Sequence, residues 1–448
     1  IKFLTVIFFI IFSNYGYCAQ KFQIIRDAEI EFFLHKLIKS VVQIDKNKNY
    51  FPRLVLNHQF NAFVVGNSNK IYINTGLINK SNSLSEIQAI LAHEIGHLVL
   101  NHHSARLIKA EQILNYSKFA TLAGLALSAE GKLDTNTAMG LIIGSNDLSK
   151  KSLLQFSRIQ EQQADKFALD QMIKRKISLN GLEVLLSNLS NNELSNKNTS
   201  PIYYRTHPFS KQRLKQLKKY KSIYQKDSLA EKKIVINDNI ISLEYIKNKI
   251  KAYDTDPFEV IKNLNKKNDF LSNFSKSIAL YRIGKYELAH KKISSIKDKF
   301  KDYPFYYEFN GDIFFKKGAF DKAIEEYKKA IKSFQEVFNP STDLIKFSLV
   351  KTYLQSNKKT DLKKSIIILE ELLLNNPNWS YLWRLLAKSS GRLNNKGIAY
   401  IALAEEALIK KNFIMAKKYV DLANKQSTLP SSYKLRGWDI VERIKLKK

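Results

Sequence analysis

The apolar positions of this chain gather into runs of different character, and each predicts its own kind of element. From Ala89 to Leu100 every residue is apolar except His93, Glu94, Gly96 and His97, with no proline to interrupt the run. That pattern predicts a buried helix. A second helical run carries Ser157-Arg158-Ile159-Gln160-Glu161-Gln162-Gln163-Ala164-Asp165 and ends near Met172. Between them lie two runs of small and apolar residues, Phe119–Leu127 and Ala138–Gly144, separated by Glu130, Lys132 and Asp134. Both are too short to span a bilayer. They predict a helical hairpin packed on the fold, in preference to one dipping into a membrane surface.

Residues 226–265 are charged, opening on Asp227-Ser228-Leu229-Ala230-Glu231-Lys232-Lys233, and predict a linker. Beyond them the chain turns helical, with small residues at regular positions. Gly284, Tyr286 and Ala289 recur as Gly318, Phe320 and Ala323, each pair 34 residues apart. Asp321 to Ala330 resembles the second helix of a tetratricopeptide repeat, and Gly311 and Phe314 fit its first. Weaker copies follow at Asn376-Pro377 with Trp379 to Trp383, and at Phe413, Ala416 and Ala423. Small residues at helix crossings and aromatics in the grooves build such a stack, which presents a concave face to partner proteins. The expected division is 1–19 signal peptide, 20–225 first domain, 226–265 linker and 266–448 repeats.

The first helix carries the chemistry. His93-Glu94-Ile95-Gly96-His97 places two imidazoles four residues apart, on one helical face, where both can reach one metal ion. Glu94 beside them can take a proton from a metal-bound water. Catalytic zinc usually takes a third protein ligand and keeps one position open. His103 stands at the distance where a third histidine follows in some zinc proteases. Those chains need a glycine at position 100, and Leu100 occupies it, so the helix is expected to continue. At about 100° per residue it then carries His103 off the His93 face. Glu161 is the other candidate, with Asp165 one turn away to support a metal-bound histidine. Together with the upstream motif, the balance favours Glu161.

These features resemble the zinc metallopeptidase family that includes the HtpX heat-shock protease and the CAAX prenyl proteases. The resemblance runs over roughly residues 25–220. It rests on H-E-x-x-H, on Arg158, Glu161, Ala164 and Asp165, on Asn61-Ala62-Phe63 and Ile71 to Leu77, and on Thr206-His207-Pro208 with Arg213. It implies a zincin-like α+β domain with a small sheet before the mostly α-helical repeats. It implies one Zn2+ per chain held by His93, His97 and Glu161, with Glu94 as general base and Asp165 orienting a zinc-bound histidine or donating a proton. His102 fits a frequent histidine of the family and Arg213 its arginine, both behind the ligands. Gln163 departs from the Glu often found there, at a position that is not a ligand. An extended substrate is expected to pair with an edge strand near Asn61–Gly66.

Lys2, the apolar run Phe3–Phe12 and the small residues up to Ala19 describe a secretory signal peptide cleaved after Cys18 or Ala19. A lipoprotein anchored through Cys18 is disfavoured by Tyr15-Gly16-Tyr17 before it. The start at Ile1 suggests a non-standard start or a clipped terminus. Cys18 is the only cysteine, so its removal leaves no disulfide, thiolate ligand or cysteine nucleophile. The 448 residues carry a net charge of +32, mostly as lysine spread among abundant asparagine and isoleucine. That distribution reads as the product of an AT-rich genome. No nucleic-acid motif accompanies it, and contact with anionic outer-membrane lipid is the weaker alternative.

An exported zincin joined to repeats resembles the periplasmic assembly-enhancing proteases of Gram-negative bacteria. The resemblance implies an endopeptidase acting on misassembled outer-membrane proteins, with repeats that engage the barrel-assembly machinery. In those proteases the histidine matching His207 can occupy the fourth zinc position. A general envelope housekeeping protease is one alternative. A repeat-based chaperone with a structural zinc is another, against which the intact Glu94 argues.

Overall fold

The computed structural model describes residues 23–43, 50–65, 68–106, 108–109, 111–112, 157–193, 207, 211–224, 233–300, 302–334, 341–356 and 358–446. The expected signal peptide with Cys18, the segment 119–144, Thr206 and Pro208 lie outside these residues. Among the described residues no helix is long and apolar enough to cross a membrane.

The first half is built on a four-stranded sheet of order β1-β2-β4-β3, from β1 (Ile24–Ile25), β2 (Phe51–Val55), β3 (Ala62–Val64) and β4 (Lys70–Asn74). β2 and β4 run parallel, while β1 and β3 pair antiparallel to them, which leaves β3 as an edge strand. Helix α1 (Ala28–Val41) starts at Asp27, whose side chain accepts from the Ile30 N–H. It buries Phe32, Phe33, Leu34, Leu37 and Ile38 almost completely. A short α2 (Thr75–Lys80) then leads to α3 (Leu84–Val99).

α3 is the expected motif helix. Ser83 caps it by accepting from the Glu86 N–H, and Glu86 accepts from the Asn82 N–H. This exchange resembles a capping box. Every residue from Leu84 to His97 is buried, so the helix threads the middle of the domain. The helix does not continue through Leu100, contrary to expectation. It ends at Val99, Asn101 takes a φ of +53°, and helical residues resume at His102. Asparagine tolerates the left-handed region well enough to end a helix without glycine.

Helix α4 (157–174) crosses α3 closely. A Cβ added at Gly96 would lie 3.2 Å from the Cα of Ala164, so these two small residues let the backbones meet. Helices α5 (Asn180–Glu193) and α6 (Lys211–Tyr224) complete this half.

The expected linker is instead folded from Ile234 onward. Asn237 and Asp238, both at positive φ, turn a hairpin between β5 (Ile234–Ile236) and β6 (Asn239–Ile241). Helices α7 (Leu243–Asp254) and α8 (Pro257–Leu264) follow. The charges of this segment find partners across the fold. Lys249 lies 2.8 Å from Asp27 Oδ2 and 2.7 Å from Glu29 Oε2 on α1. Lys247 donates to the Ser81 carbonyl.

Five helical hairpins follow among the described residues: α9 (Phe270–Arg282) with α10 (Tyr286–Ser294), α11 (Pro304–Lys316) with α12 (Phe320–Lys332), α13 (Thr342–Ser356) with α14 (Lys359–Asn375), α15 (Ser380–Arg392) with α16 (Lys396–Ile409), and α17 (Phe413–Asn424) with α18 (Ser431–Lys445). This is a tetratricopeptide-type solenoid. The 34-residue recurrence has a local cause, because Gly284 and Gly318 adopt φ of +78° and +76° in the turns after α9 and α11. Ala289 and Ala323 are fully buried where the helices cross. Phe32 of α1 packs on Phe305 and Phe334, and one apolar core runs unbroken from Ala28 to Tyr353. The two halves therefore share a core.

Candidate metal centre

α3 and α4 bring the site residues together in the buried middle of the first half. His93 Nε2 lies 3.1 Å from His97 Nε2 and 3.2 Å from Glu161 Oε2. Glu161 Oε1 is 3.5 Å from His97 Nε2. His207 completes the group, its Nδ1 3.2 Å from His93 Nε2 and 3.0 Å from Glu161 Oε2. One ligand atom from each of these four buried residues lies within 4.8 Å of the others. His103 is exposed and does not join them.

A second layer holds the first. His93 Nδ1 donates to Asp165 Oδ1 at 2.9 Å, which leaves Nε2 bare in the neutral ring. Arg213 grips Asp165 through Nε and Nη2, and its Nη1 lies 3.6 Å from Glu161 Oε2. Burial raises the Asp165 carboxyl, but Arg213 outweighs it and holds the group below its ordinary range. Behind His97, the Nδ1 of His102 lies 2.9 Å from His97 Nδ1. Gln163 Oε1 is 3.1 Å from His102 Nε2, and Gln160 donates to the His102 carbonyl at 3.0 Å. The sequence reading gave Gln160 no role and noted Gln163 only as a departure at a position that is not a ligand. Their signal was the helical spacing, since Gln160 and Gln163 flank Glu161 on the same run.

The donor set fits a cation. Glu94 Oε1 and Glu161 Oε1 are buried with no hydrogen-bond partner, and the ring nitrogens of three imidazoles crowd together at 3.1 and 3.2 Å. Burial works against charge on His93, yet its hydrogen bonds to Asp165 and Glu161 push it up to about 10. Burial and the neighbouring His93 push His97 down to about 2. A metal ion would supply positive charge at the centre of this cluster. Burial raises the Glu94 carboxyl, only partly offset by His207, whose Nε2 lies 3.4 Å away. That is the direction expected of a general base.

The sequence profile of Peptidase family M48 matches residues 25–221. The Beta-barrel assembly-enhancing protease of Escherichia coli K12 is 20% identical over 383 residues, covering 86% of this chain and 76% of its own length. Metalloprotease YcaL of the same organism is 28% identical over 151 residues, covering 33% of this chain and 55% of its own. The match takes in the helices that carry His93, His97 and Glu161, and also His207. Residues 25–221 thus match Peptidase family M48, and the chain is a metallopeptidase with a helical repeat domain attached.

Proposed function

We propose that the chain is a zinc endopeptidase of the bacterial envelope, in which His93, His97 and Glu161 hold one Zn2+ and Glu94 is the general base. The observation that carries this reading is the convergence of those three side chains beside Glu94, whose buried Oε1 accepts no hydrogen bond. When bound, zinc would polarise the scissile carbonyl and lower the pKa of water from about 16 towards about 7. Glu94 would take the proton of the attacking water and deliver it to the leaving amine. Asp165, held by Arg213, keeps His93 in the tautomer that turns Nε2 to the site. The edge strand β3 packs against α3 and is where an extended substrate would pair.

His207 sits among the ligands and would occupy the fourth position, keeping water out until it withdraws. Likeness to a relative named for beta-barrel assembly supports periplasmic substrates among outer-membrane proteins, with the repeats contacting the assembly machinery. The test pairs two variants. Glu94→Gln should keep stoichiometric zinc and lose activity by roughly 10² or more, while Glu161→Ala should lose zinc. Unimpaired zinc binding in Glu161→Ala would overturn the ligand assignment. Proteins accumulating in a Glu94→Gln strain identify the substrates; an excess of soluble envelope proteins alone would favour general housekeeping.

A further inference from the structure

A histidine ligand presents one ring nitrogen to a metal and must place its proton on the other. His93 meets this demand through Asp165, a carboxylate that can only accept. No carboxylate stands behind His97. Its Nδ1 faces another histidine nitrogen, Nδ1 of His102, at 2.9 Å, and two facing nitrogens share one proton. If His102 carries its proton on Nδ1, that proton points at His97 and drives the His97 proton onto Nε2, the atom 3.5 Å from Glu161 Oε1. If His102 carries its proton on Nε2, its Nδ1 accepts from His97, and His97 Nε2 is left bare.

The group at the far end of His102 decides between these two states. Gln163 Oε1 lies 3.1 Å from His102 Nε2 and accepts from it. The break at Asn101 turns His102 back beneath His97, and Gln160, buried and bridged to Arg106 Nε at 3.2 Å, holds the His102 carbonyl. His102 is thus fixed in place independently of Gln163.

We propose that Gln163 is a positioning residue for the metal: by accepting from His102 Nε2 it sets, through His102, the tautomer in which His97 can bind. The inference rests on the ligand assignment made above. A carboxylate accepts only, whereas a carboxamide can rotate and donate, so Gln163 is the looser lock. His97 is accordingly the ligand held less firmly than His93.

The test measures zinc dissociation constants by chelator competition on the full chain for Gln163→Leu, Gln163→Glu and Glu161→Ala. Removing such a partner costs about 10–100-fold in metal affinity. Gln163 is exposed and water takes its place in the Leu variant, so about tenfold weakening is expected. Gln163→Glu should bind as tightly as the parent or tighter, and that rescue separates a tautomer effect from loss of packing. Long-range 1H–15N spectra of zinc-free, 15N-histidine-labelled protein should show His102 protonated at Nε2 in the parent and mixed in Gln163→Leu. A Leu variant within twofold of the parent, or Leu and Glu variants weakened alike, would overturn the inference. If Glu161→Ala also kept its zinc, the fault would lie in the ligand assignment.

Discussion

Lys249 offers the sharpest test of how the two halves are joined. It stands on α7 between Asp27 and Glu29, at 2.8 and 2.7 Å, with 9% of its side chain exposed, and the Tyr303 hydroxyl donates to the other oxygen of Glu29. Lys249→Met keeps the stem and removes the charge. Glu29, 1% exposed, is then left with the hydroxyls of Tyr303 and Tyr245 and no positive charge. Stripping one partner from a buried pair costs about 3–5 kcal/mol. For a cooperative unit of 150–250 residues, 1 kcal/mol shifts the midpoint by about 2–4 °C, so a fall of about 6–20 °C is expected. Burial would lower the Lys249 pKa, but Asp27 and Glu29 raise it well above its ordinary value. A raised folded pKa means the contribution is complete below the unfolded value of about 10.4, so it is present in full at neutral pH. Calorimetry of the zinc-loaded chain should show the fall and a splitting of the transition as the halves uncouple. Adding Glu29→Leu should recover much of the loss, because apolar replacement of a buried pair is close to neutral. A urea midpoint that places the single variant within 1 kcal/mol of the parent would refute the reasoning.

His207→Ala should retain zinc and raise basal cleavage or self-cleavage. Unchanged activity, with an unchanged zinc coordination number by X-ray absorption, would return His207 to the status of a loop residue. On α11, burial first and then the Asp312 charge raise the Glu308 carboxyl well above its ordinary range. Such a group favours folding while protonated and loses that contribution as pH rises through its folded pKa. Glu308→Gln should therefore stabilise the chain at pH 7 and not below about pH 4, where the unfolded carboxyl is also neutral. Urea midpoints at the two pH values check it, and equal gains at both would refute it.

The local parts of this structure were legible, because spacing along one helix carries the information. His93 with His97, and Glu161 with Asp165, are each one turn apart, and the structure turns both pairs to one point. The repeats were legible where glycine marks the left-handed turn, at Gly284 and Gly318. They were faint where Asn394 and Lys411 take the same conformation at φ of +61° and +60°. The charged stretch 226–265 misled, since the partners of Lys249 lie more than two hundred residues earlier and no local pattern reveals them. Its hairpin did leave a signal, in Asn237-Asp238 between two isoleucine-rich runs. The end of α3 was misread for want of glycine, though Asn101 could supply the turn.

The apolar core shared from Ala28 to Tyr353 makes the molecule a ruler. A segment docked on the first repeats stands at a set distance from the metal centre, because one core underlies both. The reach must come from the substrate, at about 3.3–3.6 Å per extended residue. A client whose loose stretch is too short to bridge that distance would be held without being cut, and one with a longer stretch would be cut at a fixed count of residues from its anchor.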